Sequence, residues 1–493
     1  MTSGTIARVF LAGAAALTLA ACATGMRKPD VSLPAAYEAP PGVAELKPLT
    51  LDRWWLIFGD DELNGLEDQA LRMSPTAATQ IARLREALAT KKSTIWQTYP
   101  QGDFTGSAVR QKNYALITPT GSLFPVGGIT DTNTGAFNAS WEFDFLGGLV
   151  DERRIARLDY AATEFNVEAA RASLVANVAD NYFLARGLTI RLSDAQEQLT
   201  IQQHLLDVAQ AKADHGIGAQ SDADRIAGIA AQSRSDVSNI EAQQHAAARL
   251  LLILIGRGRE PVENLTLAAN VANPPPLPKA VPAELLARRP DVREADARMR
   301  AAALQTKLAK EELFPNILIK PALGIARTAT PSAAVVSLVP FILQPKQQTT
   351  ATDYWSYGFS VTQPVLDIPR LLQDAKAQGA RTEEAVIAYE KAVQDAFGDA
   401  ENALVALASD EQQIAILEDG EARARKAYDA EQIRYEAGID DVTAVLTAEQ
   451  DWSSARTALT NERVLALRHA VQTYKALGGG WDYQPTETAA RSP

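Results

Sequence analysis

The chain is built from one unit used twice. Pro75, Arg83, Arg85 and Pro100 recur as Pro290, Arg298, Arg300 and Pro315 at a constant offset of 215, and Gly216 and Gly256 recur as Gly438 and Gly478 at 222. Two ungapped blocks in the same order indicate a duplicated helix–strand–strand–helix-hairpin unit. The first repeat reads as residues 51–255, a connecting segment as 256–284 and the second repeat as 285–481.

Residues 1–21 read as a signal peptide: Arg8 precedes an apolar run from Val9 to Ala21 that is too short to span a bilayer as a helix. The run ends in Leu19-Ala20-Ala21-Cys22, which resembles a bacterial lipobox, and Cys22 is the only cysteine, so no disulfide competes for it. Cys22 is the expected lipid-attachment residue, each buried acyl methylene contributing roughly 0.8 kcal/mol. Ala23 in place of aspartate implies, for lipoproteins of this kind, delivery to the outer membrane. Residues 22–50, rich in proline, are expected to form an extended tether. A covalent lipid is the only non-protein group expected; no other cofactor and no metal is.

Alanine is frequent and aromatics make up only 6% of the chain, a composition that favours long, closely approaching helices over a wide globular core. The formal charge is −12 with no block of Lys or Arg, which argues against nucleic acid as a partner.

Two segments break the helical pattern. Phe137, Ala139, Trp141, Phe143 and Phe145 alternate with Asn138, Ser140, Glu142 and Asp144, giving one aromatic and one wet face. In the second repeat Trp355, Tyr357, Phe359 and Val361 alternate with Ser356, Gly358, Ser360 and Thr362. Ile317, Ile319, Leu323 and Ile325 do so with Lys320, Ala322 and Gly324, Pro321 falling on the apolar side. This places β-hairpins at about 103–145 and 316–365, with long loops at about 116–131 and 329–351. Two distant hairpins cannot close a core or cover their own edges. Aromatic outer and polar inner faces instead fit a membrane barrel, which must close. Four strands are too few, so the barrel must be shared; three copies giving twelve strands is the simplest closure, although two or four would also satisfy the arithmetic.

Long helices follow each hairpin. Asp151 to Asp214 contains no proline and predicts roughly 95 Å of helix. Leu158, Ala162, Phe165, Ala169, Ala172, Ala176, Ala179 and Phe183 form a coiled-coil seam, and Val167, Ala170, Leu174 and Val178 a second, so this helix packs on two sides. Helix hairpins are expected over 151–255 and 369–477, with shorter helices over 54–71, 75–99 and 290–313. The run Pro274-Pro275-Pro276 makes 256–284 a linker or a small side structure, and 482–493 a disordered tail. The fold class is mainly α with a membrane β-barrel.

These pieces resemble the TolC-like outer-membrane efflux family, and its NodT-type lipoprotein branch in particular. The resemblance rests on Trp54-Trp55-Leu56-Ile57-Phe58 with Asp60 and Leu63, Ser74-Pro75, Leu285 to Arg293 continuing to Phe314-Pro315, and Tyr474 to Trp481. It implies a homotrimer with a twelve-stranded barrel in the outer membrane of a Gram-negative bacterium and a twelve-helix barrel in the periplasm. Its implied partners are a periplasmic adaptor, an inner-membrane transporter, expected to be proton-driven, and outer-membrane lipid.

In that family the helix-hairpin turns close the periplasmic mouth and meet the adaptor. Here these are His215–Arg225, with Gly216 and Gly218, and Ala437–Glu449, with Gly438. Relatives carry an inward aspartate ring just after the second turn, where this chain has Thr443, Ala444 and Thr447. The nearest carboxylates are Asp440 and Asp441, with Asp222 and Asp224 in the other repeat. These carboxylates and threonines are the candidate constriction, since threefold symmetry turns one inward carboxylate into a cation-attracting ring. Arg288, Arg289 and Asp291 read as a helix-start cap and ion-pair network, and Gly478-Gly479-Gly480 as a helix stop.

No HExxH, CxxC, phosphate loop or nucleophile elbow occurs, so no enzyme is expected. Passive export of small molecules is the leading function. A duct for a protein (type I) secretion system, or a structural lipoprotein without a pore, are its alternatives.

Overall fold

The computed structural model describes residues 27–40, 51–117, 124–279, 282, 288–331 and 347–480. Cys22, the signal peptide, the outer parts of both strand loops and the tail from residue 481 lie outside the described residues. The chain divides into two compact units, one containing Leu88–Tyr160 and Met299–Ala385, the other Lys28–Ala87, Ala161–Arg298 and the chain from Val386 on.

In the first unit, β1 (Gln101–Ile117) and β2 (Phe124–Glu142) pair antiparallel along their whole length. The expected loop at 116–131 is therefore shorter than its composition suggested. Ile129 and Thr130 suit a pleated surface, and pairing continues to Ile117 and Phe124. The second hairpin comprises β3 (Asn316–Ile319) and β4 (Ala322–Pro331) on one side, and β5 (Gln347–Ser356) and β6 (Phe359–Thr362) on the other. The breaks in this hairpin lie at Pro321, which lacks an N–H, and around Gly358. Register is kept across them, for Lys320 and Gly358 exchange hydrogen bonds of 2.9 and 3.2 Å. The strand order is β5-β4-β2-β3-β6 with β1 on β2, so the sheet ends in open edges.

Register puts Phe104, Phe137, Leu323 and Trp355 side by side across four strands, and Trp141, Ile319 and Phe359 across three. Phe104, Leu323, Trp355 and Phe359 are all exposed, Trp355 stacking on Tyr357 at 6.0 Å. The opposite face carries the rows Thr105–Ala136–Gly324–Tyr354, Ser107–Thr134–Ala326–Thr352 and Val109–Thr132–Thr328–Thr350.

The second unit is helical. Trp54–Phe58 is a 3-10 turn ended by Gly59 at φ 61°; Asp60 then caps α1 (Asp61–Met73), its Oδ1 accepting from the N–H groups of Glu62 and Leu63 at 3.0 and 3.2 Å. The single helix expected over 54–71 is thus two elements, because a left-handed glycine followed by a capping aspartate stops one helix and starts another. The helix α2 (Pro75–Gln97) follows. The long helices are α3 (Gly148–Asp214), α4 (Gln220–Leu254), α6 (Ile368–Glu436) and α7 (Val442–Ala476), with α5 (Pro290–Glu311) opening the second repeat; α2, α3, α5 and α6 each have one end in the first unit. Both seams of α3 are buried from Ala172 on, at Leu174, Ala176, Val178, Ala179 and Phe183. The core that they join also includes Trp54, Trp55, Leu251, Leu467 and Tyr474.

The described part of the tether, residues 27–40, has no regular secondary structure but is held to α6. Glu390 on α6 accepts from the Asp30 N–H at 2.8 Å, Glu401 accepts from those of Glu38 and Ala39 at 3.0 and 2.8 Å, and Tyr37 stacks on Phe397 at 5.4 Å. The connecting segment is likewise packed: Val262, Leu267 and Leu277 enter the main core, and Arg186 on α3 donates to the Ala268 carbonyl at 3.2 Å and to Asn270.

Candidate functional site

The four glycines of the second repeat match all have positive φ: Gly216 73°, Gly438 71°, Gly256 82° and Gly478 78°. The first two sit in the hairpin turns. There Ile217 N–H reaches the Lys212 carbonyl at 3.0 Å, and Ile439 N–H that of Arg434 at 2.9 Å, the same C-terminal closure in each copy. Ile217 and Ile439, one residue past each glycine, are both well exposed.

The copies diverge after the turn. Ala219, at the N-cap of α4, offers no side-chain cap, whereas Asp441 caps α7 by accepting from the N–H groups of Thr443 and Ala444 at 2.6 and 3.3 Å. Those bonds hold the Asp441 carboxyl below the usual range. Asp440 is ion-paired with Arg434, and the hydrogen bond between them likewise lowers its pKa. In the first turn, Asp222 lies 4.0 Å from Arg225, and Asp224 accepts from Gln220 at 3.3 Å. Gly218 sits against Lys212, where a Cβ would come within 2.9 Å of that side chain.

Close to the turns, Lys212 and Arg225 tie the hairpins together. Lys212 Nζ donates to the Tyr435 hydroxyl at 3.1 Å and lies 4.5 Å over its ring, and Arg225 donates to Thr443 Oγ1 at 2.7 Å. Behind them is a core of Leu205, Ala209, Ala223, Ile226, Val445 and Leu446, with Trp452 stacked on Tyr428 at 5.1 Å. Glu449 is buried there and burial pushes its carboxyl up, with Gln202 Nε2 3.5 Å away.

Asp440, Thr443, Ala444 and Thr447 line one groove of about 480 Å³ with Glu431, Ala448 and Asp451. Asp222, Asp224 and Asp441 are not among its lining residues. Thr447 Oγ1 donates back to the Thr443 carbonyl at 2.8 Å. Glu431 and Asp451 had not been singled out from sequence. For Asp451 the signal was available, since Thr443, Thr447 and Asp451 recur every four residues and so share a helix face.

Arg288, Arg289 and Asp291 form a staple far along the chain from the turns. Arg288 pairs with Asp52 at 2.6 Å, both well buried; Arg289 pairs with Asp291 at 2.6 Å and Asp399 at 3.1 Å, and Asp291 accepts from the Val292 N–H at 3.0 Å. The glycines after α7 end it as expected, Gly480 N–H reaching the Leu51 carbonyl at 3.0 Å.

The model of the outer membrane efflux protein family matches residues 66–257 and again 281–479, one match per repeat. The pyoverdine export outer membrane protein OpmQ of Pseudomonas aeruginosa is 28% identical over 439 residues, 87% of each chain. The cation efflux system protein CusC of Escherichia coli K12 is 24% identical over 427 residues, 87% of this chain and 88% of its own. The solved outer-membrane channel OprN superposes with a TM-score of 0.75 at 25% identity, over 93% of this chain and 97% of that one. The open state of the MtrE outer membrane channel of Neisseria gonorrhoeae shares the fold, with a TM-score of 0.76 at 22% identity over 93% of this chain and 98% of its own. A duplicated unit ending in paired helix turns, one aromatic-faced open-edged sheet and a family match over each repeat agree: the chain belongs to the outer membrane efflux protein family and is the outer-membrane exit duct of an efflux pump.

Proposed function

We propose that this chain is a homotrimeric duct, lipid-anchored through Cys22, that receives small molecules from a proton-driven inner-membrane transporter through a periplasmic adaptor. The observation that carries the reading is the sheet with unpaired edges: among the described residues β1 pairs only with β2, and β5 only with β4. Those edges are satisfied in a bilayer when β1 of one copy meets the β5–β6 edge of the next. Passive passage makes and breaks no bond, so the reading asks for no catalytic group.

The periplasmic mouth is formed by the Thr443–Thr447–Asp451 face of α7 together with Asp440, and the Lys212–Tyr435 and Arg225–Thr443 contacts hold it shut. The two exposed isoleucines of the turns face the adaptor. Pyoverdine, cations and toluene appear in the names of relatives that match most of this chain, which supports leaving the choice of compound to the transporter and only a preference in charge to the duct. The test is single-channel recording from the full-length protein in planar bilayers. Asp451→Asn is expected to lower cation preference, and Arg225→Ala with Lys212→Ala to raise conductance several-fold. Unchanged conductance and selectivity in all of these would remove the assignment of the mouth.

A further inference from the structure

The polar face of the sheet is uneven in charge. Its three rows between Thr105 and Val109 hold hydroxyls and small apolar groups and no ionisable side chain except the Tyr354 phenol. Three charged residues are instead gathered at the helix-proximal end. Asp103 shares a row with Asn138, Ala322 and Ser356, and Glu142 pairs with Leu318. Between them lies the row of Lys320, where the pairings of Trp141 with Ile319 and Asn138 with Ala322 place Ser140 opposite the lysine. Its other neighbour is Gly358, which leaves open space. Lys320 is exposed, and small residues flank it on both sides, so nothing in its row covers the ammonium.

We propose that Lys320, with Glu142 and Asp103 in the rows on either side, is a specificity-determining residue of the duct: a charged collar at the base of a lumen-facing sheet surface whose other described rows carry no charge. The inference rests on reading the sheet as part of a conducting barrel. In the trimer the collar repeats three times, with Lys320 as its only cation. It favours anionic cargo locally, against the two carboxylates that favour cationic cargo, while the hydroxyl rows beyond pass either. The collar belongs to the sheet and not to the helix turns, so it acts independently of the carboxylates there.

A thiol in the collar row reads this local potential without relying on the periplasmic mouth. Ser140→Cys in the full-length protein, reconstituted in planar bilayers, is treated from the outer side with anionic sulfonatoethyl or cationic trimethylammonioethyl methanethiosulfonate. The unsubstituted chain sets the background. Lys320→Gln is expected to lower the ratio of anionic to cationic modification rates about two- to threefold, and Glu142→Gln to raise it by a similar factor, given one unit charge screened over about a Debye length. Ratios unchanged by both substitutions overturn the collar. An unreactive Ser140→Cys beside a reactive Thr132→Cys overturns it too, by showing that the row does not face the lumen. Absence of conductance in the unsubstituted chain would instead overturn the duct reading on which the proposal stands.

Discussion

Glu67 lies fully buried on α1, where the Ala179 backbone is close to its carboxylate but makes no well-formed hydrogen bond with it. Burial, and secondarily the charge of Asp68, raise its pKa well above the ordinary 4.5. A carboxyl held neutral by the fold contributes its full stability below the unfolded pKa and loses it as pH rises toward the folded value. Thermal midpoints of the detergent-solubilised protein should therefore fall as pH increases from about 4.5 toward neutrality, and Glu67→Gln should flatten that slope and raise the midpoint at neutral pH by a few degrees. An unaltered pH profile in the variant would show that Glu67 is ionised in the fold. This site was not legible in the sequence, since a glutamate within Asp61–Met73 looks like any solvated helix residue. The turn glycines were legible: their spacing alone marked them, and a left-handed backbone is what glycine adopts without strain.

At the scale of elements, alanine-rich helices approach closely, and glycine marks the extreme. A methyl group at Gly187 on α3 would overlap the side chain of Val464 on α7, itself buried. Gly228 on α4 has nothing within 4 Å of such a methyl. Gly→Ala in a helix gains up to about 1 kcal/mol where space is free, whereas overpacking costs about 1–3 kcal/mol. Gly228→Ala should thus stabilise the protein and Gly187→Ala destabilise it, measured as opposite shifts in thermal midpoint; equal shifts would mean the two helices part at little cost. The seams of α3 could be read from spacing because a heptad stripe survives any choice of partner. The strap of residues 30–39 could not, because Glu390 and Glu401 hold backbone N–H groups, and backbone donors leave no residue signature.

At the scale of the whole molecule, the outer-membrane location makes the two faces of the sheet opposite environments. Leu323, in the aromatic row, and Thr328, on the hydroxyl face, lie on one strand. An arginine facing lipid costs from about 0–1 kcal/mol near the interfaces to about 2–4 kcal/mol at the midplane, and a lumen-facing one less. Leu323→Arg should therefore deplete the protein from outer-membrane fractions, and Thr328→Arg should leave insertion intact. Equal recovery of the two variants would contradict the assigned faces.

The duplication, the alternating strands, the heptad seams and the turn glycines were determined by sequence alone, because each is a local periodicity or a backbone demand met within a few residues. The helix-hairpin turns could be located for the same reason, and Asp440 with Asp441 marked as the place where the copies differ. Only the tertiary structure decided what those two aspartates do: Asp441 caps a helix and Asp440 holds Arg434, while Thr443, Thr447 and Asp451 share the groove. The same holds for the charged collar, which gathers Asp103 of β1, Glu142 of β2 and Lys320 from the link between β3 and β4 at one end of the sheet. Such placements depend on strand register and on which backbone or side-chain partner lies nearest in space, and a one-residue shift in pairing would reverse them.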